Sequence, residues 1–115
     1  LAEGDMRRTM PRFSAEHLPH NLALLAELEA VAERLEVTTG QLALAWLRAQ
    51  GDDILPIPGT RSIAHMGENL AAGELRLEAT TVARLDALLA PGRVAGGRYA
   101  EAQQAEVDTE EFPPA

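Results

Sequence analysis

Only one stretch of this chain reads as a β-strand, and one strand cannot make a sheet. The run Ile54-Leu55-Pro56-Ile57-Pro58 is short and apolar, with Asp52-Asp53 before it and Gly59-Thr60 turning the chain after it. Its two prolines lack N–H donors and argue against a central strand with a full hydrogen-bond ladder. The other segments with a clear period are helical. The chain therefore either folds as a helical cluster, or carries a strand whose partners lie in other polypeptide.

The helical pattern begins at about Asn21 and runs to Glu36. Leu24, Leu28, Val31 and Leu35 recur at steps of three and four, and Leu25 and Ala32 widen the stripe. Asn21 is placed to cap the helix start, where backbone N–H groups need an acceptor. A second helix is expected from Thr39 to Gln50. Thr38 and Gln41 have the spacing of a capping box. Leu42, Ala45, Trp46 and Ala49 form the buried stripe, and Gly51 supplies a stop. Ser62 caps a short third helix carrying Ile63, Met66 and Leu70 on one face. A fourth, from Ala79 to Leu89, buries Val82, Leu85, Leu88 and Leu89 and ends at Pro91-Gly92. Leu1 to His20 is punctuated by Gly4, Pro11 and Pro19 and reads as irregular loop. Gly96-Gly97 is a turn. The tail from Ala100 is acidic and ends in Pro113-Pro114. The expected division is thus a loop over residues 1–20, the helices with the strand over 21–99, and an acidic tail over 100–115.

Composition narrows the function classes. At 115 residues the chain can bury only a thin core. It has no cysteine, so neither disulfides nor thiolate metal sites arise. Acids outnumber bases 18 to 10, for a net charge of -8, and a nucleic-acid surface needs clustered cations. No apolar run approaches membrane-spanning length, and no signal-peptide pattern opens the chain. A cytoplasmic location is the default expectation. All ten bases are arginine, so the chain contains no lysine. It starts at Leu1, and its first methionines, Met6 and Met10, lie inside a polar stretch, which reads as a piece of something longer.

The segment richest in chemistry is Ile57-Pro58-Gly59-Thr60-Arg61, followed by a helix start. Such a turn directs backbone N–H groups and the positive helix end at one spot, which suits a phosphate. Gly59 lets an anion approach the backbone closely. Thr60 offers a hydroxyl and Arg61 a planar fork of donors. Taken locally, a surface turn with a capping threonine and a solvated arginine explains the same residues. His17, His20 and Glu16 lack the helical spacing of metal ligands and read as solvated loop residues. Ser14 beside a histidine makes no triad without a third partner and an oxyanion hole. Asp52-Asp53 reads as a polar strand entry, and Trp46 and Tyr99 as packing residues.

The order of several motifs adds what local chemistry does not. Pro11-Arg12-Phe13, then Asn21, then Gln41 to Leu47, then Ile57-Pro58-Gly59-Thr60-Arg61, then Glu68-Asn69-Leu70 resemble the final third of bacterial aldo-keto reductases. The resemblance covers about Asp5 to Val107. It implies the C-terminal segment of a (β/α)8 barrel, helical when taken alone, with Ile54 to Ile57 as its one short strand, the eighth of the barrel. It implies NADPH as cofactor, bound at the C-terminal ends of the strands, where barrel enzymes place their sites. Ile57, Pro58 and Gly59 match backbone lying along the dinucleotide. Thr60 matches a hydroxyl that meets the 2′-phosphate, and Arg61 a basic position that favours NADPH over NADH. Glu68 and Asn69 match the pair that bonds the adenine edge. His65, a weaker and pH-dependent cation, stands where the family usually has arginine. Glu78 replaces a usual capping threonine. Gly96-Gly97-Arg98-Tyr99 is similar to a late turn of the family.

The family's aspartate, tyrosine, lysine and histidine catalysts come from the first half of the barrel. A chain with no lysine and one tyrosine does not hold that set, so no catalytic residue is assigned, and the implied partner is the remaining N-terminal part of the barrel. The other reading is an inactive helical module that self-associates as a homo-oligomer through apolar surface left uncovered.

Overall fold

Hydrophobic spacing and side-chain caps set most of the architecture. The structure, a computed structural model, describes residues 1–107. The acidic residues 108–115, including Pro113-Pro114, lie outside the described residues. Among the described residues five α-helices follow in order: α1 Leu18–Arg34, α2 Thr39–Ala49, α3 Ile63–Ala71, α4 Ala79–Leu88 and α5 Glu101–Gln104. Short 3-10 turns occupy Met6–Thr9, Pro11–Phe13 and Ala72–Glu74. No helix among the described residues is long and apolar enough to cross a membrane.

The chain divides into two compact units. One is Leu24–Pro91; the other is Leu1–Ala23 with the described residues from Gly92 onward. In the larger unit α2 packs against α3, α4 and the Ala72–Glu74 turn. Its core is Leu24, Val31, Ala32, Leu42, Ala45, Ala72, Leu85 and Leu88, with Leu42, Leu85 and Val31 the largest side chains fully enclosed. Three of these eight are alanines, so the core is thin, as the chain length requires.

The capping box of α2 forms as its spacing implies. The Gln41 N–H donates to Thr38 Oγ1 at 3.2 Å, and the Thr38 N–H donates back to Gln41 Oε1 at 3.0 Å. The Trp46 indole N–H donates to Asp86 at 2.8 Å, linking α2 to α4. At the end of α1 the Val37 N–H reaches the Ala32 carbonyl and the Glu36 N–H the Glu33 carbonyl. That is a Schellman motif. Its left-handed position is Glu36, at φ 54°, where a side chain costs about 1 kcal/mol relative to glycine.

Several expectations need correction. No described residue is in a strand, and Ile54 to Ile57 is irregular. A strand is stabilised by a neighbour's hydrogen bonds, and the described part of the chain supplies none. Leu55 is 82 % and Ile57 95 % exposed, as expected of a run with nothing to cover it. The apolar face of α3 is likewise uncovered, with Ile63, Met66 and Leu70 exposed. Asn21 does not cap α1, which starts three residues earlier; its side chain bonds a distant loop. His17 is a loop residue as expected, whereas exposed His20 belongs to a helix. His20 is in the first turn of α1, with Nε2 2.8 Å from the Arg93 carbonyl, and His17 is half-buried. Gly51 does not end α2 with a left-handed residue; Gln50 does so in a right-handed conformation. Ala49 is exposed.

In the smaller unit no described side chain is fully buried, and polar contacts hold the loops. Asp5 caps the Met6–Thr9 turn by accepting from the Arg7 N–H at 3.0 Å, and it pairs with the Arg7 guanidinium at 2.6 Å. Hydrogen bonds from the Arg7 side chain and backbone hold the Asp5 carboxyl at about 2, below its ordinary 3.8. The Arg7 guanidinium is correspondingly raised by its hydrogen bond to Asp5 and lies 5.8 Å from the centre of the Phe13 ring. A lowered carboxyl stabilises the turn in full above its unfolded pKa and loses that contribution as pH falls toward 2. The Asp5 carboxyl carbon should therefore titrate by NMR with a midpoint near 2, returning toward 3.8 in Arg7→Gln. A midpoint near 4 in the unaltered chain would contradict the ion pair.

Candidate functional site

The turn from Pro58 to Ser62 is built by two side-chain hydroxyls. Thr60 Oγ1 accepts the Ser62 N–H at 3.1 Å. Ser62, itself extended, caps α3 by accepting the His65 N–H at 3.3 Å. Ile63 and Ala64, in the first helical turn, keep amides without an intrahelical acceptor. The hydroxyl proton of Thr60 reaches the Ser62 carbonyl only at 3.3 Å, a weak bond that leaves it able to rotate.

The turn lies open. Ile57, Pro58, Gly59, Thr60 and Arg61 are all exposed. Arg61 makes no hydrogen bond or ion pair with any described residue. A Cβ placed on Gly59 would meet nothing within 4 Å, and its φ is not in the left-handed region. Glycine is thus not demanded at 59 by any contact of this chain.

On α3, His65 and Asn69 are four apart and share a face, with Glu68 beside them. His65 and Glu68 are exposed and Asn69 is half-buried. Asn69 and Pro58 both line a depression of about 100 Å³, together with Pro56 and Arg48. That is well below the roughly 300 Å³ at which small-molecule pockets begin. A nucleotide here would lie along an open surface and would not be enclosed by this chain. Gln41 Nε2 donates to the Glu68 carbonyl at 3.2 Å, tying α3 to α2.

Arg48 is a cation that sequence reading passed over. Its guanidinium donates to the Gly73 carbonyl, 25 residues away. No local pattern marks such a pairing. Asp52 and Asp53 are exposed, and Tyr99 is half-buried. Among the described residues no three His, Cys, Asp or Glu side chains cluster as metal ligands would.

An open glycine turn feeding a hydroxyl-capped helix, with an uncommitted arginine beside it, presents hydrogen-bond donors of the kind a phosphate accepts. Comparison with known proteins identifies the family. Residues 2–90 match the aldo/keto reductase family, and the chain belongs to it. It is 44% identical over 97 residues to the aldo-keto reductase yakc [NADP(+)] of Schizosaccharomyces pombe, covering 84% of this chain and 28% of that protein. It is 37% identical over 109 residues to the aldo-keto reductase str7 of Strobilurus tenacellus, covering 95% and 32%. It is 39% identical over 89 residues to the probable aldo-keto reductase 1 of Glycine max, covering 77% and 26%. The chain thus spans about a third or less of these relatives' lengths. No solved structure gives a significant match.

Proposed function

We propose that this chain is the C-terminal segment of a (β/α)8 barrel reductase and supplies the adenosine 2′-phosphate end of an NADPH site. The observation that carries the reading is the open turn Gly59-Thr60-Arg61 in a member of this family. The Ile57, Pro58 and Gly59 backbone runs along the dinucleotide, with glycine at 59 leaving room for it. The Thr60 hydroxyl turns its proton to the 2′-phosphate. Arg61 supplies positive charge beside it, His65 packs next to it from α3, and Glu68 and Asn69 bond the adenine edge. In the barrel, Ile54 to Ile57 gains neighbours and becomes the last strand, residues 1–20 lie at the barrel mouth, and residues 100–115 form an acidic tail. The cofactor delivers hydride to a carbonyl. The groups that handle the proton come from polypeptide other than this chain, so this chain by itself reduces nothing.

The exposed apolar residues Ile57, Ile63, Met66 and Leu70 favour a second reading, a self-associating helical module. One experiment separates the two. The chain is titrated with adenosine 2′,5′-bisphosphate while amide shifts are followed by NMR and mass by sedimentation. The first reading expects a monomer with shifts concentrated at Gly59 to His65 and at the Asn69 side chain. A stable oligomer without those shifts would replace it with the second.

A further inference from the structure

Asn21 and Pro11-Arg12-Phe13 are among the motifs that mark the family resemblance, yet they have no part in the phosphate turn. Their role lies in the smaller unit. Asn21 Nδ2 donates to the Arg12 carbonyl at 2.9 Å and to the Ala95 carbonyl at 3.0 Å. Its Oδ1 accepts the Ala95 N–H at 2.9 Å. Two carbonyls on one side and an N–H on the other fix the orientation of the amide. The side chain thus pairs both backbone groups of Ala95, as the peptide of a neighbouring strand would. Arg12 Nε donates to the Gly96 carbonyl at 3.2 Å, and His20 Nε2 lies 2.8 Å from the Arg93 carbonyl.

Gly96 shows how closely the two loops meet. Its φ is +81°, and a Cβ there would sit 2.9 Å from the Pro11 carbonyl carbon, 3.0 Å from the Arg12 nitrogen and 2.7 Å from His17 Cδ2. Only glycine fits against that peptide bond. No described side chain of this unit is fully buried. Polar contacts, these hydrogen bonds among them, hold the unit, which places it at the low-stability end of the fold, where local opening occurs.

We infer that residues Arg93 to Gly96 form a strap latched by Asn21, and that the strap and the Pro11–Phe13 turn open and close as one body. Asn21 is the shared element, because it holds Arg12 and Ala95 with the same amide nitrogen. Releasing that amide loosens both loops at once, and the Arg12–Gly96 hydrogen bond ties the same two loops to each other. The inference is independent of the cofactor reading.

Native-state hydrogen exchange of the chain in low denaturant tests it. The Ala95 amide, bonded to Asn21, and the Phe13 and Ser14 amides, bonded to the Met10 and Pro11 carbonyls, should share one opening equilibrium with one denaturant dependence. Asn21→Leu should then speed exchange at all three by about tenfold or more, since three hydrogen bonds are lost. Amides of α2 report whether the variant stays folded, and the measurement on the unaltered chain stands even if it does not. Ala95 opening alone, with Phe13 and Ser14 following a different denaturant dependence, would overturn the coupling.

Discussion

Leu85→Ala should lower the stability of the larger unit by about 3 kcal/mol, while Ile57→Ala should change it by less than about 0.5 kcal/mol. The two substitutions delete similar amounts of aliphatic carbon. They differ in where that carbon sits. Leu85 is 1 % exposed and among the largest enclosed side chains of an eight-residue core. Removing its branches leaves a cavity in a thin core with few large side chains to fill it. Ile57 already lies in water. In a domain this small the first loss corresponds to about 15 °C in the melting midpoint. Trp46 fluorescence in urea reads it directly, because its indole bonds Asp86, the neighbour of Leu85. Equal effects from the two variants would mean that the 54–57 run is covered after all.

That contrast also marks where sequence reading stops. Helix α2 was legible almost to the residue, since both its period and its capping box are written within eleven residues and one preceding cap. Leu42 and Leu85 were readable as core because a helix buries whatever its stripe presents. The strand was not, because β structure is a property of pairs and one member alone carries only an apolar pattern. Asn21 misled for a related reason. Its residue type suits a cap, but its partner Ala95 is 74 positions away, and no local rule reaches that far. Arg48 and Gly73 repeat the lesson. The turn proposed to take phosphate stands out in the sequence because glycine, threonine, arginine and a helix cap are adjacent. Its openness was not, because exposure depends on what else the chain folds against it.

Openness is what makes the second large effect measurable. Arg61→Ala should weaken binding of adenosine 2′,5′-bisphosphate about ten- to hundredfold, the loss of one charge-assisted contact worth about 1.5–3 kcal/mol. The same variant should leave binding of adenosine 5′-phosphate unchanged, because that ligand lacks the group Arg61 would hold. Stability should not move beyond about 0.5 kcal/mol, since the exposed guanidinium bonds nothing among the described residues. Arg61→Lys should restore part of the affinity as a point charge but not the two-pronged geometry. Thr60→Ala is a poorer probe, because Thr60 also accepts the Ser62 N–H and its loss loosens the turn; Thr60→Ser keeps both roles. Raising salt should weaken the bisphosphate more than the monophosphate. Calorimetry with the two nucleotides supplies the difference that decides. If Arg61→Ala weakened both equally, the arginine would be acting on the general field of an acidic chain, and the turn would have no claim on the 2′-phosphate.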